Sequence, residues 1–245
     1  MGSTSRYASE RMMLTMWSAP RSRSTAFERM MMERGDFTVL HEPFSHVMDF
    51  GSATVLDRQV TSEKELLSTL KELPGRVFFK DTTDFHYPEL LNDKPFLRDG
   101  VHTFIIRDPR EVIESHAHLN PAVSRDDIGF ARLHEIYDAV AEATGEAPVV
   151  IDSDDLIDRP ADTVAAYCAR VGIPFDADAL RWQPGTPRQW QRTERWHEAA
   201  AASSGFSRPP RQYARTVDND AQLAEYHRYH QPYHQKLWEQ RLRLA

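Results

Sequence analysis

Short apolar runs alternate along the chain with longer segments whose apolar residues recur every three or four positions. The runs predict buried strands at residues 12–17, 37–40, 76–79, 101–106 and 148–151. The periodic segments predict one helix that is capped by Ser24 or Thr25 and ends at Gly35, and another with Pro109 in its first turn. Others are predicted over residues 61–73, 87–91, 132–143, 159–171 and 220–242. This alternation indicates βαβ units, so we predict an α/β fold with a doubly wound, mostly parallel central sheet of four to five strands flanked by helices.

Two stretches interrupt the alternation. Residues 45–57 look irregular, and we interpret them as a lid or an acceptor-binding loop, with a plain surface loop as the alternative. From residue 178 to residue 213, prolines and arginines replace the periodic pattern. Because a long helix follows, we predict one domain over residues 1–245 that ends in a C-terminal flap and helix from about residue 178.

The composition excludes several classes of protein. A formal charge of −7 and a pI near 5.9 argue against a general binder of nucleic acid or anionic membrane, so an anionic ligand needs a local positive site. The apolar runs are too short to span a bilayer, and the first residues lack the apolar core of a signal peptide, which together predict a cytoplasmic protein. Cys168 is the single cysteine, so neither an internal disulfide nor a cysteine-based zinc site is expected.

The segment after the first strand has the composition of an anion-binding loop. Small and cationic residues lie between Pro20 and Thr25, directly before a helix. The free backbone N–H groups and the positive end of the helix dipole favour an anion there, and Arg21 and Arg23 add full charges. A Walker A loop would have glycines and a lysine before Ser24, which this sequence lacks. The segment therefore predicts a phosphate-bearing cofactor that is held in another way.

Charged residues also follow the next predicted strands. His41 and Glu42 come after the second strand, Lys80 after the third and Arg107 after the fourth. The carboxyl ends of parallel strands meet at one edge of a sheet, where α/β proteins keep their chemistry. We therefore expect these residues to lie near the anion-binding loop.

The first loop resembles the 5'-phosphosulfate loop of the sulfotransferases that use 3'-phosphoadenosine 5'-phosphosulfate (PAPS). The family pattern of proline, lysine or arginine, serine, glycine and two hydroxyl residues is matched here by Pro20, Arg21, Ser22, Arg23, Ser24 and Thr25. The departure is Arg23, which stands where the family has glycine. A close wrap of the backbone at this point would require Arg23 to keep a negative φ and to point its side chain outward.

A second segment resembles the family's 3'-phosphate motif, in which a serine follows eight residues after a strand-end arginine. Arg107 and Ser115 reproduce that spacing. The arginine can donate two hydrogen bonds to a phosphate, and the serine can add its hydroxyl from the same side. Residues 149–156 and 172–175 resemble the family's later strand and turn, so the likeness covers roughly residues 12–176. The resemblance also implies a basic flap over the 3'-phosphate, for which Arg208 and Arg211 are the candidates.

The resemblance further implies roles for the strand-end residues. Glu42 is similar to the glutamate that several carbohydrate sulfotransferases use as general base, with His41 as a competing candidate. Arg21 would contact the bridging and leaving oxygens, and Lys80 would reach the sulfuryl group or hold Glu42 in place. The structural alternative is an ion pair of Glu42 with Arg21 or Lys80.

The histidines are assigned to packing rather than to a metal site. His227, His230 and His234 recur at helical spacing among tyrosines, and no neighbouring carboxylate or cysteine completes a ligand set in the sequence. One of His116 and His118 is expected near the active site, because both directly follow the second motif.

We therefore interpret the chain as a sulfotransferase domain with P-loop-like architecture. The resemblance implies PAPS as the cofactor, no metal, and transfer to a hydroxyl of a small-molecule acceptor, without nucleic acid or membrane as a partner. Two alternatives stay open: an ATP-dependent P-loop kinase acting on a small molecule, and a catalytically inactive nucleotide-binding module.

Overall fold

A computed structural model describes residues 11–208, 210 and 212–244. Within these residues the strands are β1 Met12–Ser18, β2 Thr38–His41, β3 Ala53–Val55, β4 Arg58–Val60, β5 Arg76–Thr82, β6 Val101–Ile106 and β7 Val149–Asp152. The α-helices are α1 Ser24–Arg34, α2 Pro43–Phe50, α3 Glu63–Glu72, α4 Pro88–Asn92, α5 Lys94–Asp99, α6 Pro109–Leu119, α7 Phe130–Thr144, α8 Ser153–Asp158, α9 Pro160–Val171, α10 Glu198–Ala201 and α11 Ala221–Glu239. Short 3-10 segments cover Asp126–Ile128, Asp178–Leu180 and Arg188–Trp196.

The five strands that the hydrophobic pattern predicts form one sheet. Its order is β2-β5-β1-β6-β7, and every neighbouring pair is parallel. The predicted α/β fold with a mostly parallel central sheet is therefore confirmed. Because all five strands are parallel, the carboxyl ends of β1, β2, β5 and β6 lie along one edge of the sheet.

Helices cover both faces of this sheet. Alternate residues of β1 point to opposite faces, so Leu14 and Met16 pack with one group of helices and Trp17 packs with another. On the first face the partners come from α1 and α9, and on the second face they come mainly from α3, α6, α7 and α11. Burial on both faces is the reason that the strands read as continuous apolar runs.

The prediction of an irregular stretch at residues 45–57 is wrong. Helix α2 occupies its beginning, and an antiparallel hairpin of β3 and β4 follows. The helix has Pro43 in its first turn and ends at Gly51, whose φ is 70°. The hydrophobic pattern did not predict these elements because the helix has only eight residues and the hairpin strands have three each.

Strand β5 continues beyond its predicted end at Phe79, so Lys80 and Asp81 lie inside the strand and are buried. Charged residues are rarely fully buried unless they are paired, which is why the apolar pattern stopped early. Asp81 accepts hydrogen bonds from the backbone N–H groups of Phe44 and Ser45 at 2.6 and 3.1 Å. A carboxylate from the sheet therefore caps the first turn of α2.

Other boundaries differ by a few residues. The expected capping role of Ser24 or Thr25 is wrong, because Ser24 is already helical and the residue before it holds the cap position. The segment from residue 178 onward has little regular structure before α11, and it packs on the sheet through Trp190, which is fully buried. No helix in the described part of the chain is both long enough and apolar enough to cross a bilayer.

Gly129, which precedes α7, lies in close contact with the chain at the end of β5. Gly129 has a φ of +83°, and a Cβ built there would lie 2.7 Å from the backbone oxygen of Thr83. Gly145 has a similar φ of +74°, but no described atom would lie within 4 Å of its Cβ. Both Gly129→Ala and Gly145→Ala place alanine in a left-handed conformation, at a cost of about 1 kcal/mol each. We expect Gly129→Ala to lose about 1 to 3 kcal/mol more of the free energy of unfolding, because of overpacking.

Urea denaturation of the two variants and the parent chain measures this difference. Equal losses in Gly129→Ala and Gly145→Ala would contradict the close approach of α7 to the end of β5.

Candidate active site

A cavity of about 930 Å³ opens at the carboxyl ends of the central strands. Its wall includes most of the residues that the sequence singles out: Arg21, Ser22, Arg23, Ser24, Thr25, Glu42, Lys80, Arg107 and Arg208. His41 and Ser115 lie outside that wall but contact residues in it. Arg211 lies outside the described residues. The topology thus brings together residues from the ends of four strands and from the segment after residue 178.

The loop between β1 and α1 adopts an unusual backbone conformation. Arg21 and Arg23 have φ values of 66° and 68°, in the left-handed region. Arg23 therefore meets neither condition for a close backbone wrap, since its φ is positive and its side chain turns inward. Its guanidinium lies against Glu111 at 3.0 Å and Asp154 at 2.5 Å, with 14% of the side chain exposed. These ion pairs hold an arginine in the conformation that glycine adopts easily.

The same loop presents polar groups to the cavity ahead of a helix N-terminus. The Ser22 hydroxyl is buried and finds no hydrogen-bond partner among the described residues. Ser18 donates to the hydroxyl of Ser24 at 2.9 Å. A buried hydroxyl without a partner beside the open end of α1 is suited to an anion, as the loop composition predicts.

The two motifs meet directly. Arg21 donates from Nε to the Ser115 hydroxyl at 3.1 Å and from Nη1 to the Trp196 carbonyl at 2.5 Å. Arg107 donates from Nη1 to the backbone carbonyl of Arg21 at 2.8 Å. Residues that are 86 and 94 positions apart from Arg21 thus converge on it. The structure therefore places the first loop, Arg107 and Ser115 side by side.

Arginines from three segments surround a pair of carboxylates beside the loop. Glu111 Oε2 accepts from Arg107 Nε at 2.8 Å and from Arg23 Nη2 at 3.0 Å. Arg208 lies 2.9 Å from Asp154 and 3.9 Å from Glu111. Burial, followed by the charge of Arg23, lowers the pKa of Arg107 from its ordinary value. Several guanidinium groups therefore converge on the carboxylate of Glu111, as they would on an anionic ligand.

Glu42 lies at the junction of β2 and α2 with a φ of 44°, and it is buried. Lys80 donates to its Oε1, while its Oε2 lies 3.4 Å from His41 Nε2. The ion pair with Lys80 that the sequence left open is therefore present. Burial alone would raise the pKa of Glu42, but the ammonium of Lys80 and the neighbouring His41 outweigh it and hold the pKa well below its ordinary value.

His41 is enclosed and both of its ring nitrogens have partners. Nδ1 lies 2.8 Å from Glu28 Oε2, and Nε2 lies 3.1 Å from His197 Nε2. Burial lowers the pKa of His41 to about 3 and that of His197 to about 2, so both rings are neutral at neutral pH. His197 also contacts Thr25 Oγ1 through Nδ1 at 3.2 Å, which links the segment after residue 178 to the first loop.

Sequence reasoning missed three residues of this cluster. Glu28 left a signal, since it is a charged residue on the apolar face of α1 and is fully buried. His197 and Thr193 left none, because they lie in a segment without periodicity. Of the two histidines expected near the site, His116 is the one that lines the cavity.

Two of the three C-terminal histidines pack as predicted. His230 and His234 are buried on α11, with ring centroids 6.0 and 5.6 Å from that of Phe130. In the described residues, the cluster whose ligand atoms come close enough to hold a metal ion is His41, Glu42 and His197, within 4.8 Å of one another.

The sequence also matches a known family model. Residues 12–234 match the model described as "Sulfotransferase domain". The chain belongs to the sulfotransferase family. The match extends well beyond the roughly 165 residues that carry the motif resemblance, and it includes the segment after residue 178 and most of α11.

Two curated relatives come from Arabidopsis thaliana. Branched-chain-amino-acid aminotransferase-like proteins 2 and 1 are 31% and 30% identical to this sulfotransferase-family chain, over 79% and 82% of its length. The chain spans only 36% and 37% of those relatives. Among solved structures, the sulfotransferase domain from the curacin biosynthetic pathway aligns over 91% of this chain and 98% of that chain, with a TM-score of 0.49 and 12% identity.

The conformation of Arg23 generates a prediction about stability. Arg23→Ala and Arg23→Gly remove the same ion pairs with Glu111 and Asp154, but only glycine adopts a φ of 68° without strain. We expect the glycine variant to be more stable than the alanine variant by about 1 kcal/mol, the reverse of the order in an ordinary helix. Urea denaturation measures the difference, and an alanine variant of equal or greater stability would contradict it.

Proposed function

We propose that this protein is a PAPS-dependent sulfotransferase that acts on a hydroxyl of a small-molecule acceptor. The observation that carries the proposal is the convergence of Arg107 and Ser115 on Arg21 of the first loop. It joins the counterparts of the family's 5'-phosphosulfate loop and 3'-phosphate motif in one site. The chain would act as one domain, with the segment from about residue 178 closing over the donor as a flap.

The residues of the site fit such a donor. The unpartnered Ser22 hydroxyl, the N-terminus of α1 and Arg21 would hold its 5' end. Arg107 and Ser115 would hold the 3'-phosphate, with Arg208 at its edge. The cavity of about 930 Å³ lies within the usual range for small-ligand sites. Binding would replace Glu111 as the anion that these guanidinium groups contact.

Glu42 is the better candidate for the general base. It lines the cavity as a charged carboxylate, whereas His41 lies behind it with both nitrogens engaged. Glu42 would accept the proton of the acceptor hydroxyl, and Lys80 would hold its carboxylate and stabilise charge on the transferring group. PAPS would supply the sulfuryl group, whose bond to the bridging phosphate oxygen breaks as its bond to the acceptor oxygen forms. Arg21 would stabilise the negative charge that collects on that bridging oxygen.

Ligand-induced stabilisation tests the donor site and the kinase alternative together. We expect adenosine 3',5'-bisphosphate to raise the unfolding temperature and Mg-ATP to leave it unchanged, because the loop lacks the Walker lysine. At 100 times its dissociation constant, a ligand contributes about 2.7 kcal/mol. Arg107→Met should remove most of the shift, whereas Arg98→Met, on the exposed surface of α5, should keep it. Stabilisation by Mg-ATP alone would favour a kinase.

Turnover tests the base. With labelled PAPS and a panel of phenols, sugars and other alcohols, we expect Glu42→Gln to lower the transfer rate about 10²- to 10⁴-fold, because a general base contributes that much. The bisphosphate should still stabilise this variant. Glu142→Gln, whose carboxylate is 77% exposed, serves as the control.

Unchanged turnover in Glu42→Gln would remove Glu42 from the base role. Donor binding without transfer to any acceptor, in the parent chain, would favour the inactive binding module.

A further inference from the structure

Ligand atoms from two distant parts of the chain converge beside the cavity. His41 Nε2 lies 3.1 Å from His197 Nε2 and 3.4 Å from Glu42 Oε2, and one ligand atom from each of the three residues lies within 4.8 Å of the other two. His41 and His197 are 156 positions apart, and all three residues are buried. Two neutral imidazole nitrogens and one carboxylate oxygen are a donor set used by zinc-class metal ions.

The spacing of these atoms suits one tetrahedral ion. Zinc binds histidine nitrogen and carboxylate oxygen at about 2.0 to 2.2 Å, so two ligand atoms of a tetrahedral site lie roughly 3.3 Å apart. The distances of 3.1 and 3.4 Å from His41 Nε2 bracket that value. A single bound ion would account for both distances, whereas hydrogen bonding would need the one proton on His41 Nε2 to be shared between His197 and Glu42.

Each histidine is also oriented by a partner on its other nitrogen. His41 Nδ1 lies 2.8 Å from Glu28 Oε2, and His197 Nδ1 lies 3.2 Å from Thr25 Oγ1. A metal-bound histidine typically donates its second N–H to a carboxylate or another acceptor, which fixes the ring and strengthens the ligand. The proposed sulfuryl transfer gives no role to Glu28, which is fully buried on α1. An outer partner of a metal ligand would explain its burial.

The carboxylate has one oxygen available and the site has an entry path. Lys80 donates to Glu42 Oε1, so Oε2 is the atom directed at the histidines. Thr193 Oγ1 lies 3.0 Å from His197 Nε2 and 3.4 Å from His41 Nε2, which places an oxygen beside both nitrogens. Glu42, Thr193 and His197 line the cavity, so an ion or its water ligand can reach the cluster from there.

We propose that His41, Glu42 and His197 bind a divalent zinc-class metal ion, with Glu28 as a positioning residue behind His41. Binding of the ion does not depend on the proposed function. If that function holds, the bound ion withdraws Glu42 from proton transfer, and Zn²⁺ lowers the rate of sulfuryl transfer.

The test uses the full chain without an affinity tag, treated with EDTA and dialysed. Isothermal titration with Zn²⁺ should show one site per chain, and Co²⁺ should give the visible absorption of a four-coordinate ion. His197→Ala and Glu42→Gln should each abolish one-to-one binding. Glu28→Gln should weaken it about 10- to 100-fold, as loss of an outer partner does. His86→Ala, at a half-exposed histidine paired with Glu135, should bind like the parent chain.

Circular dichroism shows whether each variant is folded, and His197→Ala is informative even if changes at β2 unfold the chain, since His197 lies outside the sheet. One-to-one binding that survives in a folded His197→Ala variant would overturn the proposal. So would the absence of Zn²⁺ binding in the parent chain, which would leave a hydrogen-bonded histidine pair. The bisphosphate shift on the same samples reports separately on the donor site, so a failure of one proposal is distinguishable from a failure of the other.

Discussion

The hydrogen bond from Arg107 to the backbone carbonyl of Arg21 is the interaction on which the rest of the site depends. It fixes the first loop at a residue whose φ is 66°, and Arg23 then keeps a second left-handed position through Glu111 and Asp154. Two left-handed non-glycine residues in one loop cost of order 1 to 3 kcal/mol each, so the surrounding charges must hold them. The guanidinium groups of Arg107 and Arg23, which hold the loop conformation, also surround the proposed anion-binding position.

A second constraint is the burial of ionisable side chains between β2, β5 and α1. Glu42, Lys80, Asp81 and Glu28 are all nearly inaccessible to solvent, and each would be unfavourable there without a partner. Lys80 compensates Glu42, and α2 compensates Asp81 through its backbone N–H groups. Glu28 has His41 on one oxygen, while its Oε1 finds no partner among the described residues. Such an arrangement lowers the stability of the fold, and its presence is consistent with a functional site.

The sequence predicted the sheet well because its strands are buried on both faces. An apolar run can be recognised without knowing which strands lie beside it, and its alternation with helices indicates parallel pairing. Helix α2 and the hairpin were missed because their stability comes from elsewhere. Asp81 of β5 holds the first turn of α2, and no local pattern contains that information. The extent of β5 was missed for the related reason that its buried ionisable residues find their partners elsewhere in the chain, Lys80 in Glu42 and Asp81 in α2.

The sequence by itself determined the five-stranded core, the two motifs around Arg21 and Arg107, and the strand-end position of Glu42, because each depends on short-range order along the chain. Only the tertiary structure decided which alternatives were realised: that Glu42 pairs with Lys80, and that His197 reaches His41. These outcomes depend on chain segments that meet only after folding, where burial and charge select the partner.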